Sequence, residues 1–246
     1  MRAVHYVQYV HYVHYDDCST VGSTSSGYPR HLRLRSSTMP ERVDIAAVVL
    51  AAGRSSRMER HKLLLPLGGH PLVTYAVGAA LSSPARPVLV VVGYCAREVS
   101  ATLPAPDVTV VTNAAFAAGM STSLKAGIAA VPAAARGALV MLADQPLVSA
   151  RFVSQMLDAA TDMPEAIIAA VYAGQRATPV YFPRALFDEL QAISGDEGGR
   201  AVLAAHPERI RLVAAASPLA GTDVDRPGEY EELVANWHRY SQLLEG

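Results

Sequence analysis

Three arginines and a lysine crowd the nine positions behind Gly53, where Val49–Lys62 reads VLAAGRSSRMERHK. An apolar run stops at the glycine, small and basic residues follow at once, and apolar text resumes at Leu63. This pattern suits an anion. A glycine without Cβ lets the backbone come close to a ligand. The N–H groups of Arg54, Ser55 and Ser56 can then face one concave point, a nest for phosphate oxygens. Arg57 adds a charged fork and Lys62 a point charge at the same place. Together they read as a polyphosphate cradle, although a solvated basic loop between strand and helix explains the same composition. The spacing has neither the G-K-[ST] of a Walker A loop nor a Rossmann G-x-G-x-x-G.

Such a cradle needs a strand to present it. The run DIAAVVLAA (44–52) is apolar throughout, as expected of a parallel strand covered on both faces. Further strands are predicted over 87–93, 107–113, 137–144, 165–172, 178–182 and 209–216. Helices are predicted over 71–83, with Pro71 in the first turn, over 121–131 with Ser121 as N-cap, and over 149–161 with Ser149 as N-cap. The segments 184–193, 199–206 and 226–244 read as three more. Strands alternating with helices imply an α/β fold of βαβ units and a mainly parallel sheet. Ligands of such sheets sit outside the carboxyl ends of the strands, here Gly53, Gly93, Asn113 and Asp144.

The 246 residues are 51% hydrophobic, enough for one sizeable core. Net charge is −1, which leaves no basic footprint for nucleic acid. The first 38 residues hold four arginines and two acids, so the remainder carries 17 basic and 20 acidic side chains and must bind an anion through local groups. Two cysteines, Cys18 and Cys95, do not make a disulfide framework, and a reducing cytoplasm is the expected location. No apolar run is long enough to span a membrane.

The chain opens on a three-residue echo of His-Tyr-Val, whose period matches neither strand nor helix, followed by Ser-, Thr-, Gly- and Arg-rich text. Residues 1–38 are therefore expected to be a disordered or weakly ordered extension, and 39–246 the folded domain.

Five blocks, in order, carry a resemblance: LAAGRSSRM…K with LLPLGGHPL, then GMSTSLKAGI, LADQP, GDEGGR and DVDRPGEY, between residues 45 and 231. Together they resemble the signature of the MobA-like nucleotidyltransferases, and look closest to the molybdenum cofactor cytidylyltransferase branch. LAAG, where guanylyltransferases commonly have LAGG, leans the same way. The resemblance implies a three-layer Rossmann-like nucleotidyltransferase fold with a mainly parallel mixed sheet. It also implies transfer of CMP from CTP, or of a nucleotide from another NTP, to a phosphorylated pterin-type acceptor with release of pyrophosphate. The onward partner it implies is a molybdoenzyme or its maturation chaperone.

Carried over by position, the nucleotide-binding residues are Leu50, Ala51, Ala52, Gly53, Ser55, Arg57, Lys62, Ser121, Ser123 and Asp144. Arg57, Lys62 and Asp144 are the catalytic candidates. Asp144 is the expected Mg²⁺ ligand, with Asp223 favoured as the second over Asp225, which equally suits capping the terminal helix. Mg²⁺ takes one or two carboxylates together with phosphate oxygens. Asp196 and Arg200, in GDEGGR, are acceptor-side candidates. Capping alone explains Ser121, and a surface ion pair explains Arg200 equally well. If the strand-end turn passes the base, the Ala52 methyl narrows the slot and favours a pyrimidine. The alternatives are another base or acceptor, an oxidoreductase, for which no dinucleotide fingerprint is present, and a molybdopterin-binding protein without turnover.

Overall fold

The structure, a computed structural model, describes residues 44–58 and 60–244; the N-terminal extension expected over 1–38 lies outside them. β1 (Ile45–Ala51) shows why the first apolar run is unbroken. Ile45, Ala47, Val49 and Ala51 face one core, and Ala46 and Val48 the other, so both faces of the strand are covered.

A short hairpin follows, β2 (Pro66–Leu67) and β3 (His70–Pro71). Gly68 and Gly69 turn it with φ of 54° and 89°, the left-handed region that glycine enters without a Cβ penalty. Pro71 therefore belongs to the hairpin, and the predicted helix starts later, as α1 (Val73–Leu81). Next come β4 (Val88–Val92), α2 (Ala96–Ala101), β5 (Thr109–Thr112), α3 (Met120–Ala129), β6 (Gly137–Leu142) and α4 (Ala150–Asp162). The chain continues through β7 (Ile167–Tyr172), β8 (Gln175–Pro183), α5 (Phe187–Ala192), α6 (Arg200–Ala205), β9 (Ile210–Ala214), α7 (Pro227–Ala235) and α8 (Trp237–Tyr240). The short helix α2 was not anticipated. The single terminal helix expected over 226–244 is broken at Asn236, and Trp237 instead packs its ring edge-on to Tyr75 at 4.9 Å.

The seven-stranded sheet runs β5-β4-β1-β6-β8-β7-β9. β8 alone is antiparallel to its neighbours, β6 and β7. The other pairings are parallel, so the carboxyl ends of β5, β4, β1 and β6 share one edge. The strand core facing α1 and α4 and the core facing α3 and α5 make three layers. α3 crosses close to the sheet at Gly127, where a Cβ would lie 2.4 Å from Val48. No helix among the described residues is long and apolar enough to cross a membrane. The two cysteines were not expected to make a disulfide framework; Cys95 is disulfide-bonded.

Candidate active site

The loop after β1 opens at the carboxyl edge of the sheet. Gly53 is exposed, and a Cβ built on it would meet nothing within 4 Å, so the bare backbone faces open space. The N–H groups of Arg54, Ser55 and Ser56 donate to no atom of the described residues. Ser55 is left-handed, with φ of 56°, and its carbonyl closes a turn by accepting from Met58 N–H at 2.8 Å. This geometry leaves several donors beside one another for an anion.

At the base of the loop the 3-10 turn Lys62–Leu64 buries Lys62 to 9% exposure. Its ammonium donates to Asp144 Oδ2 at 2.5 Å and to Asp225 Oδ1 at 2.7 Å. Asp225 Oδ2 also accepts from Arg57 Nη1 at 3.2 Å, so one carboxylate bridges both basic residues of the cradle. Burial alone would lower the Lys62 pKa, but Asp144 and then Asp225 outweigh it and the ammonium is held above its ordinary value. The hydrogen bond from Lys62 is the main reason the Asp225 carboxyl lies below its own.

Asp144 stands just beyond β6, and its carbonyl accepts from Val224 N–H at 3.0 Å, which draws the 222–226 segment to the strand end. Val224 is buried between Asp223 and Asp225, so the alternation of an extended segment turns both acids toward the cleft. Asp225 does not cap the last helix; Arg226 is the N-cap of α7, and Glu229 accepts from the N–H groups of Asp225 and Arg226. Asp223 is exposed at the mouth of the cleft but enclosed on its other sides. That enclosure first, and the Asp144 carboxylate second, push its pKa up to about 6, against a hydrogen bond from Gln145. Buried Gln145 is itself fixed by Thr178 Oγ1 at 2.8 Å. Acidic groups that repel one another at a strand end fit a divalent cation, whose charge would relieve the repulsion. No set of three or more His, Cys, Asp or Glu side chains among the described residues would hold a metal unaided, so substrate oxygens would have to complete the shell.

Other candidates occupy different places. Leu50, Ala51 and Ala52 turn their side chains into the protein, leaving only backbone for a nucleotide. Ala52 is 3% exposed and lies beside Gly93 and Phe116, so its methyl lines no open base slot. Ser121 is inside α3 and not its N-cap, which is Gly119 with φ of 111°. The Ser121 N–H is taken by Gly195 O at 3.1 Å, and buried Ser123 accepts from Asn113 Nδ2 at 3.0 Å. Asp196 accepts from Met120 N–H at 3.0 Å, a side-chain cap on α3 supplied from 76 residues away. Arg200 opens α6, exposed, with its side chain unpaired among the described residues. A shallow cavity lined by Met163, Glu165, Glu208 and Arg209 lies at the amino ends of β7 and β9, on the edge opposite the cradle.

Sequence reading missed an aromatic cluster beside the cradle. His61 lies 5.4 Å from the Tyr94 ring, Tyr94 6.2 Å from Phe116, and the Arg54 guanidinium sits 5.4 Å above Phe116. Tyr94 directly follows Gly93, already a predicted strand end, which was the one signal that pointed there.

Comparison with known proteins agrees with this fold. The family model of the MobA-like NTP transferase domain matches residues 47–210. The chain is 31% identical over 198 residues to the purine catabolism protein PucB of Bacillus subtilis (strain 168), covering 76% of this chain and 94% of that protein. A crystal structure of a Mycobacterium tuberculosis Rv0371c homologue from Mycobacterium sp. strain JC1 superposes with a TM-score of 0.71 at 29% identity, over 80% of this chain and 98% of that one. A nucleotidyl transferase from Methanothermobacter thermautotrophicus gives 0.69 at 27% identity, over 79% and 98%.

Proposed function

From the premise that the chain belongs to the MobA-like NTP transferase family, and is therefore a nucleotidyltransferase, we propose that it moves CMP from CTP to the phosphate of a molybdopterin-type acceptor. One observation carries the transfer chemistry. The buried Lys62 ammonium, joined to Asp144 and Asp225, lies at the base of a loop in which the N–H groups of Arg54, Ser55 and Ser56 are unpaired among the described residues. An acceptor phosphate oxygen attacks the α-phosphorus, a P–O bond forms, the α–β P–O bond breaks, and pyrophosphate leaves with the electron pair. The acceptor phosphate is already an anion near neutral pH, so the protein's part is positioning and charge neutralisation.

Lys62 and Arg57 hold the triphosphate oxygens, exchanging their carboxylate partner for substrate, and the N–H groups after Gly53 fix its orientation. Asp144 and Asp223 would hold Mg²⁺, which when bound supplies a Lewis acid that neutralises phosphate charge. A manganese complex of Rv0371c, 28% identical and superposing with a TM-score of 0.65, supports a divalent ion in a related protein. The preference for CTP rests on the resemblance of the LAAG motif to the cytidylyltransferase branch and no longer on the Ala52 methyl, and the acceptor on the resemblance of the GDEGGR and DVDRPGEY blocks.

Pyrophosphate release from CTP, GTP and ATP, with and without molybdenum cofactor, tests the reading. We expect acceptor-dependent release that is fastest with CTP. A higher kcat/KM for GTP would replace the cytidylyltransferase by a guanylyltransferase. Acceptor binding without release from any nucleotide would make the protein a molybdopterin carrier.

A further inference from the structure

Lys62 is preceded by a residue that ties two strand ends together. His61 is partly buried between the loop after β1 and the turn after β4. Its Nε2 lies 3.1 Å from the Tyr94 carbonyl oxygen and its Nδ1 3.4 Å from Ser55 Oγ. A carbonyl can only accept, so Nε2 carries the proton and Nδ1 is left to accept from the Ser55 hydroxyl. Ser55 Oγ in turn accepts from the Lys62 backbone N–H at 3.2 Å. One imidazole thus spans from the Tyr94 turn to the hydroxyl that holds Lys62. The span matters because Ser55 is left-handed, with φ of 56°, a conformation that non-glycine residues keep only when their surroundings enforce it. Burial lowers the His61 pKa against the opposing pull of the Tyr94 carbonyl, which favours the neutral ring that the Ser55 bond requires; the Tyr94 bond itself survives protonation.

We propose that His61 is a positioning residue for the triphosphate: it staples the left-handed turn at Ser55 to the β4–α2 turn, and so sets the N–H groups of Arg54, Ser55 and Ser56 and the Lys62 ammonium in one register. This inference rests on the cradle being the triphosphate site. The staple touches neither base nor acceptor, so its loss weakens binding of different nucleoside triphosphates by the same factor. Its two arms are separable. Glutamine at this position keeps a donor for the Tyr94 carbonyl, and asparagine keeps an acceptor for Ser55.

Calorimetric titration with CTP and with GTP, each with Mg²⁺, into wild type, His61→Ala, His61→Gln, His61→Asn and Lys62→Ala tests it. His61→Ala should bind about tenfold more weakly, the scale of losing two neutral hydrogen bonds, with an equal factor for each nucleotide that wild type binds. The Gln and Asn variants should lie between, and KM should rise in the same order while kcat stays within about twofold. Wild-type binding by His61→Ala beside weakened Lys62→Ala overturns the role of His61 alone. A kcat loss at unchanged KM overturns it too. Wild-type binding by Lys62→Ala overturns the cradle reading on which it rests. Should the alanine variant fold poorly, the Gln and Asn variants decide the same question, since binding equal to wild type in both removes the staple.

Discussion

The Lys62 ammonium lies 2.5 Å from the Asp144 carboxylate, across 82 residues of chain. Lys62 follows β1 and Asp144 follows β6, and these strands are parallel neighbours with Leu50 opposite Leu142. The pair therefore forms because two strands end at one level, and its energetics follow from its burial. A charge in such a place is stable only with its partner or with a substrate of the same sign as that partner.

Asp144→Asn should lower Mg²⁺-dependent pyrophosphate release at least about 100-fold, equivalent to ~3 kcal/mol of transition-state stabilisation. The fold should survive, because Lys62 keeps Asp225 at 2.7 Å. Rates measured across a Mg²⁺ titration check this; near-wild-type turnover at saturating metal would remove Asp144 from the metal site.

Lys62→Ala should weaken nucleotide binding and turnover far more than Arg60→Ala. Lys62 is buried against two carboxylates, whereas Arg60 is exposed. Side-by-side steady-state kinetics decide it, and equal losses would mean a diffuse basic loop.

Stability should depend on pH through His61. Its folded pKa is depressed below 6.5, by burial first and by Lys62 in the same direction, while the Tyr94 carbonyl and Glu98 oppose. A depressed folded pKa contributes stability that is complete above the unfolded value and is lost as pH falls through the folded one. The difference in unfolding free energy between wild type and His61→Gln should therefore shrink as pH falls below about 6.5. Urea denaturation of both proteins at several pH values measures it, and a constant difference would mean that folding does not depress the His61 pKa.

Gly68→Ala should cost about 2 kcal/mol or more. Its φ is 54°, and an added Cβ would lie 2.0 Å from Trp237 Nε1. Left-handed backbone costs an L-residue roughly 1–2 kcal/mol, and overpacking typically adds 1–3 kcal/mol. Gly69→Ala is the control, since its Cβ would meet nothing within 4 Å and only the backbone term remains. Chemical denaturation that finds Gly68→Ala no worse than Gly69→Ala would show that Trp237 yields.

What the sequence by itself determined is local and periodic. Unbroken apolar runs marked the strands buried on both faces, because a parallel strand between helix layers has no side for water, and β1, β4 and β6 lie where those runs do. The strand-end glycine followed by basic residues marked the loop that carries Lys62, and Asp144 at the end of the fourth predicted strand is the acid that Lys62 meets. The tertiary structure alone decided which groups meet. Asp223 and Asp225 share one side of an extended segment, and only the path of the 222–226 loop brings Asp225 to Lys62 and leaves Asp223 beside Asp144. Gly119, not Ser121, caps α3, because Gly195 and Asp196 arrive from across the chain to satisfy its first N–H groups. His61 reads as one more polar loop residue until Ser55 and Tyr94 are placed on either side of its ring. Periodicity records how each segment faces a core, but hydrogen bonds and ion pairs between loops depend on where distant strands end, which no local pattern encodes.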